Sequence, residues 1–326
     1  MKKLSLVTGG AGFIGKHLVH MLHDKGEKVR VLDLRPYSYN SENIEYIQGS
    51  ILDKETVEKA LEGVSAVFHL AADPNLWAKN PNHFMDVNYA GTCTILEAAA
   101  RANIPKLIHC STESILKGKR KRINQPIEES ARLRLSDMPG PYCRSKFLAE
   151  QAALSAANSG MPVVIVNPTM PVGPGDLTLT PPMKMIKALL DEEMPAYLEW
   201  QMNLVDVRDA AYGHILAAER GRIGERYILG GHNLSFSDLI AEIGHLSGKK
   251  MPARQIPYWV AYLFSLGSET YAHFSGNPPR APLTGVVLAG SPMIFDTTKA
   301  QEELGWKPRP ISETITDALA WLEANY

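Results

Sequence analysis

The chain has 326 residues, of which 45% are hydrophobic and 21% charged, and its 34 Lys and Arg residues balance 35 Asp and Glu residues for a formal net charge of −1. This balance excludes a general nucleic-acid binder, which needs a positive excess to neutralise phosphates, and ordinary glycine and proline contents exclude collagen-like and disordered chains. The length predicts about two units, each able to bury a core.

Cysteine usage and hydropathy indicate the cellular compartment. Cys93, Cys110 and Cys143 are odd in number and form no close pair, which predicts neither a disulfide framework nor a cysteine zinc site and fits a reducing cytosol. Glycines interrupt the first apolar run too early for a signal peptide. The most apolar later stretch, 256–266, is shorter than the roughly 20 residues that span a bilayer. We therefore expect a soluble, cytoplasmic protein.

The first half of the chain alternates apolar strands with helical patterns. The predicted strands are 4–7, 29–32, 44–47, 66–70, 107–110 and 163–166. Their near-continuous apolar residues are typical of a parallel sheet that is buried on both faces. Helical periodicity separates most of them, as in 92–102 and 146–157. This order predicts an α/β fold with a doubly wound parallel sheet of the Rossmann type.

The pattern changes beyond about Pro168, where prolines cluster at 168, 171, 174, 181 and 182. Such a cluster breaks regular structure. We predict a dinucleotide-binding Rossmann core over 1–167 and a smaller C-terminal substrate-binding region over 168–326. Within the second region, about 203–232 still has core-like apolar patterns and is expected to return to the first.

A glycine-rich segment follows the first strand and precedes a helix. Gly10, Gly12 and Gly15 satisfy G-x-G-x-x-G, and Gly9 extends the run. The glycines allow a tight turn, the approach of a pyrophosphate and close packing of helix on strand, and the helix N-terminus offers free N–H groups to phosphates. Such a turn can be purely structural, but Asp33 ends the second strand about 20 residues later, where a ribose-binding acid belongs.

Asp33 also bears on the choice of cofactor. Its carboxylate can accept hydrogen bonds from both adenosine ribose hydroxyls, and its charge would repel a 2′-phosphate. Arg35 is the opposing signal, because an arginine nearby can accommodate that phosphate. We predict NAD, with NADP as the less favoured cofactor.

Tyr142 and Lys146 lie four residues apart, on one face of a predicted helix. A free tyrosine titrates near pH 10, and a neighbouring ammonium would lower that pKa. A tyrosine tuned in this way can exchange a proton with a carbonyl or alcohol oxygen while hydride moves at the adjacent carbon. Thr112, after the fifth predicted strand, supplies a hydroxyl partner for the same oxygen. The spacing alone is weak evidence, and the glycine loop strengthens it.

These residues resemble the short-chain dehydrogenase/reductase superfamily in its extended, epimerase/dehydratase branch. The resemblance covers nearly the whole chain and includes 69–72, 87–92, 167–168, 205–209 and 296–308. Within the branch, the chain is similar to dihydroflavonol-reductase-like proteins and to hopanoid-associated sugar epimerases. That similarity is carried by 72–78, 167–174 and 221–231.

The resemblance implies roles for particular residues. Tyr142 would be the general acid–base, Lys146 would tune its pKa and contact the nicotinamide ribose, and Thr112 would bond the reacting oxygen. The implied cofactor-binding residues are Gly9, Gly12, Phe13, Ile14, Gly15, Asp33, Ser50, Ile51, Ala71, Ala72, Lys146 and Pro168. Ser50 replaces an acid that is frequent in the family. The segment 111–114 lacks the consecutive acids of sugar dehydratases, which argues against dehydration. A homodimer is usual in the superfamily.

The leading functional interpretation is NAD(P)-dependent, reversible hydride transfer at a secondary alcohol or ketone of an apolar or polycyclic small molecule, such as a sterol, hopanoid or flavonol. One alternative is a nucleotide-sugar epimerase with tightly bound NAD, and another is a non-catalytic NAD(H)-sensing protein. The chain contains neither G-x-S-x-G nor a P-loop, so hydrolase and kinase interpretations lack support.

Three weaker patterns have competing interpretations. The basic run 117–122 could hold a phosphorylated substrate or contact an anionic membrane, but a solvated loop is expected. His17, His20 and His23 drift around their helix and cannot all face one ion, so we predict no metal site. The aromatic segment 256–264 could admit an apolar substrate or touch lipid peripherally, but a core helix is expected.

Overall fold

The computed structural model describes residues 3–36, 41–119 and 125–326. The strands among them are, in chain order, β1 Leu4–Thr8, β2 Lys28–Asp33, β3 Ile44–Gln48, β4 Ala66–His69, β5 Leu107–Cys110, β6 Val163–Pro168, β7 Met170–Val172, β8 Tyr197–Leu198, β9 Gln201–Asp206, β10 Arg226–Leu229, β11 His232–Ser235 and β12 Gln255–Ile256.

The α-helices among these residues are α1 Phe13–Asp24, α2 Lys54–Leu61, α3 Asn82–Phe84, α4 Gly91–Arg101, α5 Ser114–Lys117, α6 Gly140–Asn158, α7 Pro181–Leu190, α8 Val207–Arg220, α9 Phe236–Ser247, α10 Tyr258–Ser275, α11 Leu283–Ala289, α12 Thr298–Leu304 and α13 Ile311–Asn325. A π-helical segment, Met85–Ala90, joins α3 to α4, and a 3₁₀ turn forms at Leu135–Asp137.

A seven-stranded parallel sheet in the order β10-β6-β5-β4-β1-β2-β3 forms the centre of the molecule. Successive residues of a strand face opposite sides of a sheet, so Leu6 packs in the core cluster on one side and Val7 in the cluster on the other. Because both faces are covered, apolar residues predominate in the strands. The predicted doubly wound Rossmann sheet is confirmed.

The rest of the chain builds a smaller layer beside this sheet. Strands β11, β9 and β7 form a three-stranded sheet, and β12 pairs with β8. Helices α7, α9 and α13 contribute to the apolar cluster on the three-stranded sheet. Within the predicted returning segment 203–232, β10 pairs with β6 and α8 packs against α1, whereas β9 and β11 belong to the smaller sheet.

A buried ionic network attaches α13 to α8. Asp206 caps α8 and pairs with the guanidinium of Arg208, which also contacts Asp317 of α13. Asp209 accepts hydrogen bonds from the main-chain nitrogen of Arg309 at 2.7 Å and from its guanidinium at 2.8 and 3.0 Å. These charge-assisted bonds satisfy two largely buried carboxylates, so the motif at 205–209 has a structural role here.

Helix α10 differs from the expected core helix. Trp259, Leu263, Phe264 and Phe274 are 64, 56, 55 and 83% exposed, so that expectation is wrong. The helix packs through small residues, such as the buried Ser265, whose hydroxyl donates to the carbonyl of Ala281, and its large side chains occupy the opposite side. Among the helices of the described residues, none is long and apolar enough to cross a bilayer.

Three residues of the predicted basic run, Arg120, Lys121 and Arg122, lie outside the described residues. Lys117 contradicts the expected solvated loop, since it is fully buried and its ammonium donates to the carbonyl of Leu288. Lys119 is exposed, and its ammonium donates to the carbonyl of Ser136 at 3.2 Å. Lys117 therefore belongs to the interior of the protein, and the run does not form a uniform basic surface.

Three chain segments meet closely where β1 passes into α1. Gly9 has φ +72°, which favours glycine, and a Cβ there would lie 2.7 Å from the nitrogen of Ala71. A Cβ on Gly15 would overlap the carbonyl oxygen of Gly9. Glycine is therefore required so that α1 and the chain after β4 can both approach the end of β1.

This packing predicts that Gly15→Ala lowers the free energy of unfolding by about 1–3 kcal/mol, the usual cost of overpacking. Gly267→Ala is the matched control, because its Cβ would meet nothing within 4 Å inside α10, and alanine is favoured by about 1 kcal/mol in a helix interior. Urea titration of both variants is the measurement. Equal stability of the Gly15→Ala variant and the parent would contradict the packing argument.

Candidate functional site

The predicted site residues collect at one edge of the large sheet. The glycine loop follows β1, Ala71 and Ala72 follow β4 closely, Thr112 follows β5, and Pro168 is the last residue of β6. Because parallel strands end at the same edge, and β1, β4, β5 and β6 are neighbours in the sheet, these residues lie along one crevice. Ligands of open α/β sheets bind outside the carboxyl ends of the strands.

The glycine loop forms a cradle of main-chain atoms. The nitrogen of Gly12 donates to the carbonyl of Gly9 at 2.9 Å, which closes the turn. Helix α1 then begins at Phe13, and the first N–H groups of a helix have no partner within it. Phe13 and Ile14 direct apolar atoms toward the cluster of the smaller layer. The main chain of this turn is consequently free to face an anion.

Asp33 lies beside this cradle and is 9% exposed. Its two carboxylate oxygens each accept one main-chain hydrogen bond at 3.0 Å, from the nitrogens of Ala11 and Arg35. An ionised carboxylate has about four acceptor positions, so two remain for ribose hydroxyls. The Nε atom of Arg35 is 3.9 Å from Asp33 Oδ1. Arg35, which would favour NADP, is therefore already paired with Asp33, which disfavours the 2′-phosphate of NADP.

The remaining predicted cofactor positions are shaped by close packing. Ile51 is buried and leaves no space for a side chain at Gly91. The hydroxyl of Ser50 accepts from the nitrogen of Leu52 at 3.1 Å, a contact that orders the turn. The nitrogen of Ala71 donates to the hydroxyl of Thr8 at 3.3 Å. Thus Ser50 has a local role in the turn, and small residues keep the crevice open after β4.

Lys146 is held at the end of β5, where its ammonium donates to the carbonyl of Cys110 at 2.7 Å. Lys146 is 4% exposed, and burial lowers its pKa, although nearby Cys110 and Glu150 oppose that shift. Burial, reinforced by the charge of Lys146, also lowers the pKa of His69 to about 3, so that imidazole is neutral.

Tyr142 occupies the first turn of α6 and is 8% exposed. Burial raises the pKa of its phenol above the usual range, and the charge of Glu113 raises it further. Lys146 is not among the main causes of this shift, and its role in tuning the phenol stays a prediction. Tyr142 is neutral at physiological pH and carries a proton that it can donate.

Glu113 is the main residue that sequence reasoning missed. It is 6% exposed and accepts a hydrogen bond from the Thr112 hydroxyl at 2.7 Å. An acid directly after a buried strand, at the predicted crevice, was the available signal. Asn167 donates to the carbonyl of Thr112 at 3.1 Å. The hydroxyl oxygen of Ser111 is buried without a protein partner in the described chain.

Metal chemistry finds no support in the described parts of the chain, where no group of three or more metal-ligating side chains occurs. His17 instead contacts the carbonyl of Pro174 at 2.9 Å, a contact that links α1 to the smaller layer.

The site fits a dinucleotide on three observations. These are the tight glycine turn, which has no room for a Cβ at Gly9 or Gly15, the open acceptor positions of Asp33, and the unpartnered hydroxyl of Ser111. When bound, a nicotinamide cofactor supplies or accepts a hydride. A Rossmann sheet with such a crevice and a buried tyrosine beside it defines a nicotinamide-dependent enzyme of the oxidoreductase class.

Comparisons with known proteins agree with this enzyme class. The model of the NAD dependent epimerase/dehydratase family matches residues 5–230. A Synechocystis sp. protein provisionally named dihydroflavonol 4-reductase is 35% identical over 324 residues, which cover 97% of this chain and 94% of that protein. Sterol demethylase protein B of Methylococcus capsulatus is 28% identical and covers 97% of each chain. The solved structure of gox2253 has a TM-score of 0.85 and 38% identity, and covers 99% of this chain and 98% of its own.

The chain therefore belongs to the NAD dependent epimerase/dehydratase family, the extended branch of the short-chain dehydrogenase/reductases. Membership of this family confirms the predicted enzyme class and the NAD cofactor.

The position of Asp33 predicts how cofactor preference responds to mutation. Asp33→Ser should weaken NAD binding by about 10- to 100-fold, because hydrogen bonds to a charged group contribute about 1.5–3 kcal/mol. NADP should weaken less or gain affinity, since Arg35 is released from its acidic neighbour. Dissociation constants from fluorescence titration are the measurement, with Asp24→Ser, at the far end of α1, as control. An unchanged ratio of the two constants would show that Asp33 does not contact the ribose.

Proposed function

We propose that this enzyme transfers hydride reversibly between NAD and a secondary alcohol or ketone of an apolar or polycyclic small molecule, with Tyr142 as the general acid–base. The observation that carries the proposal is the position of the buried Tyr142 beside a cavity that its neighbours Gly140 and Pro141 line.

The cavity has a volume of about 370 Å³, within the usual range for small-molecule sites. It lies next to Tyr142, because Gly140 and Pro141 line it and directly precede Tyr142 in α6. Phe84, another lining residue, contacts the Tyr142 ring edge to face with centroids 6.2 Å apart. A substrate in this cavity would therefore lie beside the first turn of α6, which carries Tyr142.

The surroundings of Tyr142 favour proton donation to a carbonyl oxygen. A raised pKa keeps the phenol protonated at neutral pH, which suits it as the acid when hydride adds to the carbonyl carbon. The ammonium of Lys146 is close enough to the end of β5 to stabilise developing negative charge there. The Thr112 hydroxyl, which donates its hydrogen to Glu113 in the described structure, would supply a second hydrogen bond to the same oxygen by turning that hydrogen to the substrate.

The substrate class is supported by the cavity lining and by the relatives. Leu76, Trp77, Ala78 and Val287 give the cavity apolar walls, which suit a fused-ring or isoprenoid molecule. The names of two relatives in the same family refer to a sterol and to a dihydroflavonol. Both are polycyclic molecules.

A nucleotide-sugar epimerase is the second candidate, because Lys79 and Lys119 also line the cavity and could pair with a diphosphate. An epimerase would retain NAD through purification and cause no net redox change. A dehydrogenase produces free NADH in proportion to alcohol consumed, so coupled measurement of NADH and product separates the two. The interpretation as a non-catalytic sensor has no such specific support.

Tyr142→Phe tests the proposal. The variant keeps the ring but loses the proton, so kcat for the most active alcohol or ketone should fall by about 100-fold or more, while the dissociation constant for NAD stays unchanged. Tyr212→Phe is the control, because Tyr212 is half exposed on α8. Full activity of the Tyr142→Phe protein would refute the assigned role.

We also propose a cytoplasmic homodimer. The superfamily uses two helices per subunit for this contact, and α4 and α6 pack side by side on one face of the sheet. The mass of the purified protein by sedimentation velocity should be that of two chains. A monomer at micromolar concentration would contradict this part of the proposal.

A further inference from the structure

The exposed apolar surface of this protein is concentrated on α10. Of the sixteen large apolar side chains that are exposed among the described residues, eight lie on this one helix. They include Trp259, Leu263, Phe264, Leu266, Tyr271 and Phe274. Such a concentration on one element marks an interaction surface, because contact between water and a large apolar patch is unfavourable.

Helix α10 is attached to the rest of the protein along one side. The hydroxyl of Ser268 accepts a hydrogen bond from the nitrogen of Arg280 at 2.9 Å. A carboxylate oxygen of Glu269 accepts one from the nitrogen of Leu283 at 2.7 Å. The buried Ser265 lies in the same half of the helix, because residues three or four apart share a helical face.

The opposite half of α10 is an apolar face. Trp259, Leu263 and Phe274 are separated by four and eleven residues, which places them in one row along the helix. None of the residues that α10 places in this half is charged. The helix has 18 residues, and a rise of 1.5 Å per residue makes the face about 27 Å long.

Cations border this face at both ends. Lys249, Lys250 and Arg254 are exposed in the segment that leads into α10. Arg280 is exposed just after the helix ends. The exposed Lys79 adds a cation there, because its ammonium lies against the glycine that follows α10, 3.5 Å from where a Cβ of that glycine would stand.

These charges favour an anionic bilayer over a second copy of this chain. Within 249–282, Glu269 is the only acid, and it lies on the inner side of the helix, where it lines the cavity. An isologous pairing would bring two copies of the same patch together, and their cationic borders would repel each other. An anionic membrane surface attracts Lys and Arg, and aromatic side chains are enriched at membrane interfaces.

The position of the cavity also favours a bilayer. Glu269 and His273 of α10 line the cavity from the inner side of the helix, so a bilayer on the outer side would lie about one helix diameter away, roughly 10 Å. Apolar polycyclic molecules dissolve in lipid better than in water. A substrate of the proposed class would therefore be concentrated close to its cavity. This point rests on the proposed function, whereas the apolar face and its charges do not.

We propose that α10 is an interfacial helix that docks this protein on an anionic lipid bilayer. Its outer half lies in the plane of the membrane, with its apolar side chains about 5–10 Å into the boundary between headgroups and acyl chains. The cations at its two ends contact anionic headgroups. The contact is peripheral, because the inner half of the helix stays bonded to the protein.

Flotation with lipid vesicles tests the proposal. Vesicles of phosphatidylcholine with about 30% phosphatidylserine should bind the protein about 10- to 100-fold more tightly than vesicles of phosphatidylcholine alone. Salt at about 0.5 M should remove most of this difference, because it screens the charges.

The matched variants each lose one aliphatic and one aromatic exposed side chain. Leu263→Gln combined with Phe274→Gln should weaken binding to the anionic vesicles by about 100-fold or more, since two large apolar side chains no longer leave water. Ile223→Gln combined with Tyr212→Gln is the control, because Ile223 is 56% exposed, as Leu263 is, but lies outside α10. The control should keep the parental affinity.

A second readout identifies the residue that enters the membrane. Lipids that carry bromine on their acyl chains should quench part of the tryptophan fluorescence of the parent. Trp259→Phe should remove this quenching and keep the affinity for vesicles within about threefold, because phenylalanine also partitions into the apolar part of the interface.

The proposal is overturned if the parent does not float with anionic vesicles, or if the Leu263→Gln, Phe274→Gln protein binds them as tightly as the parent. Sedimentation velocity that shows assembly beyond a dimer, dispersed in this variant, would also overturn it, because a second copy would then cover α10. The variant should keep the parental kcat for a water-soluble alcohol and the parental melting temperature. A failure of vesicle binding therefore leaves the proposed function intact, and full activity of Tyr142→Phe refutes the proposed function without changing vesicle binding.

Discussion

The structure depends on a close approach of three backbones at the carboxyl end of β1. Side chains at Gly9 or Gly15 would occupy the space now held by Ala71 and by the turn itself. Their absence lets α1 point its N-terminus into the crevice, with Asp33 at one end and the ends of β4, β5 and β6 at the other. The cofactor cradle and the chemical groups are thereby held on one rigid edge, and the irregular second half only has to close one side of it.

Burial determines the chemistry at that edge more than pairwise charge does. Desolvation acts on Tyr142, Glu113 and Lys146 together, and in each case it favours the neutral form. The phenol of Tyr142 and the carboxyl of Glu113 are therefore both biased toward their protonated forms.

The large sheet and the cradle were predictable because they depend on local patterns. Six apolar runs predicted strands of the parallel sheet, and the glycine spacing together with Asp33 predicted the cofactor edge. The state of Tyr142 was not predictable from its four-residue distance to Lys146, because its pKa depends on burial and on Glu113, which the fold brings alongside. The aromatic residues of α10 are exposed and Lys117 is buried, both against expectation. Hydrophobic periodicity and runs of charge in a sequence do not show which face of a segment another element covers.

A crystal structure of the NAD complex with a bound alcohol or ketone tests the central claim most directly. The account predicts the pyrophosphate on the glycine cradle, the ribose hydroxyls on Asp33, and the phenolic oxygen of Tyr142 within hydrogen-bonding distance, about 2.6–3.2 Å, of the oxygen of the reacting carbon. The account is contradicted if the dinucleotide binds away from the carboxyl edge of the sheet, or if Tyr142 faces away from the nicotinamide ring with another acid–base group in its place.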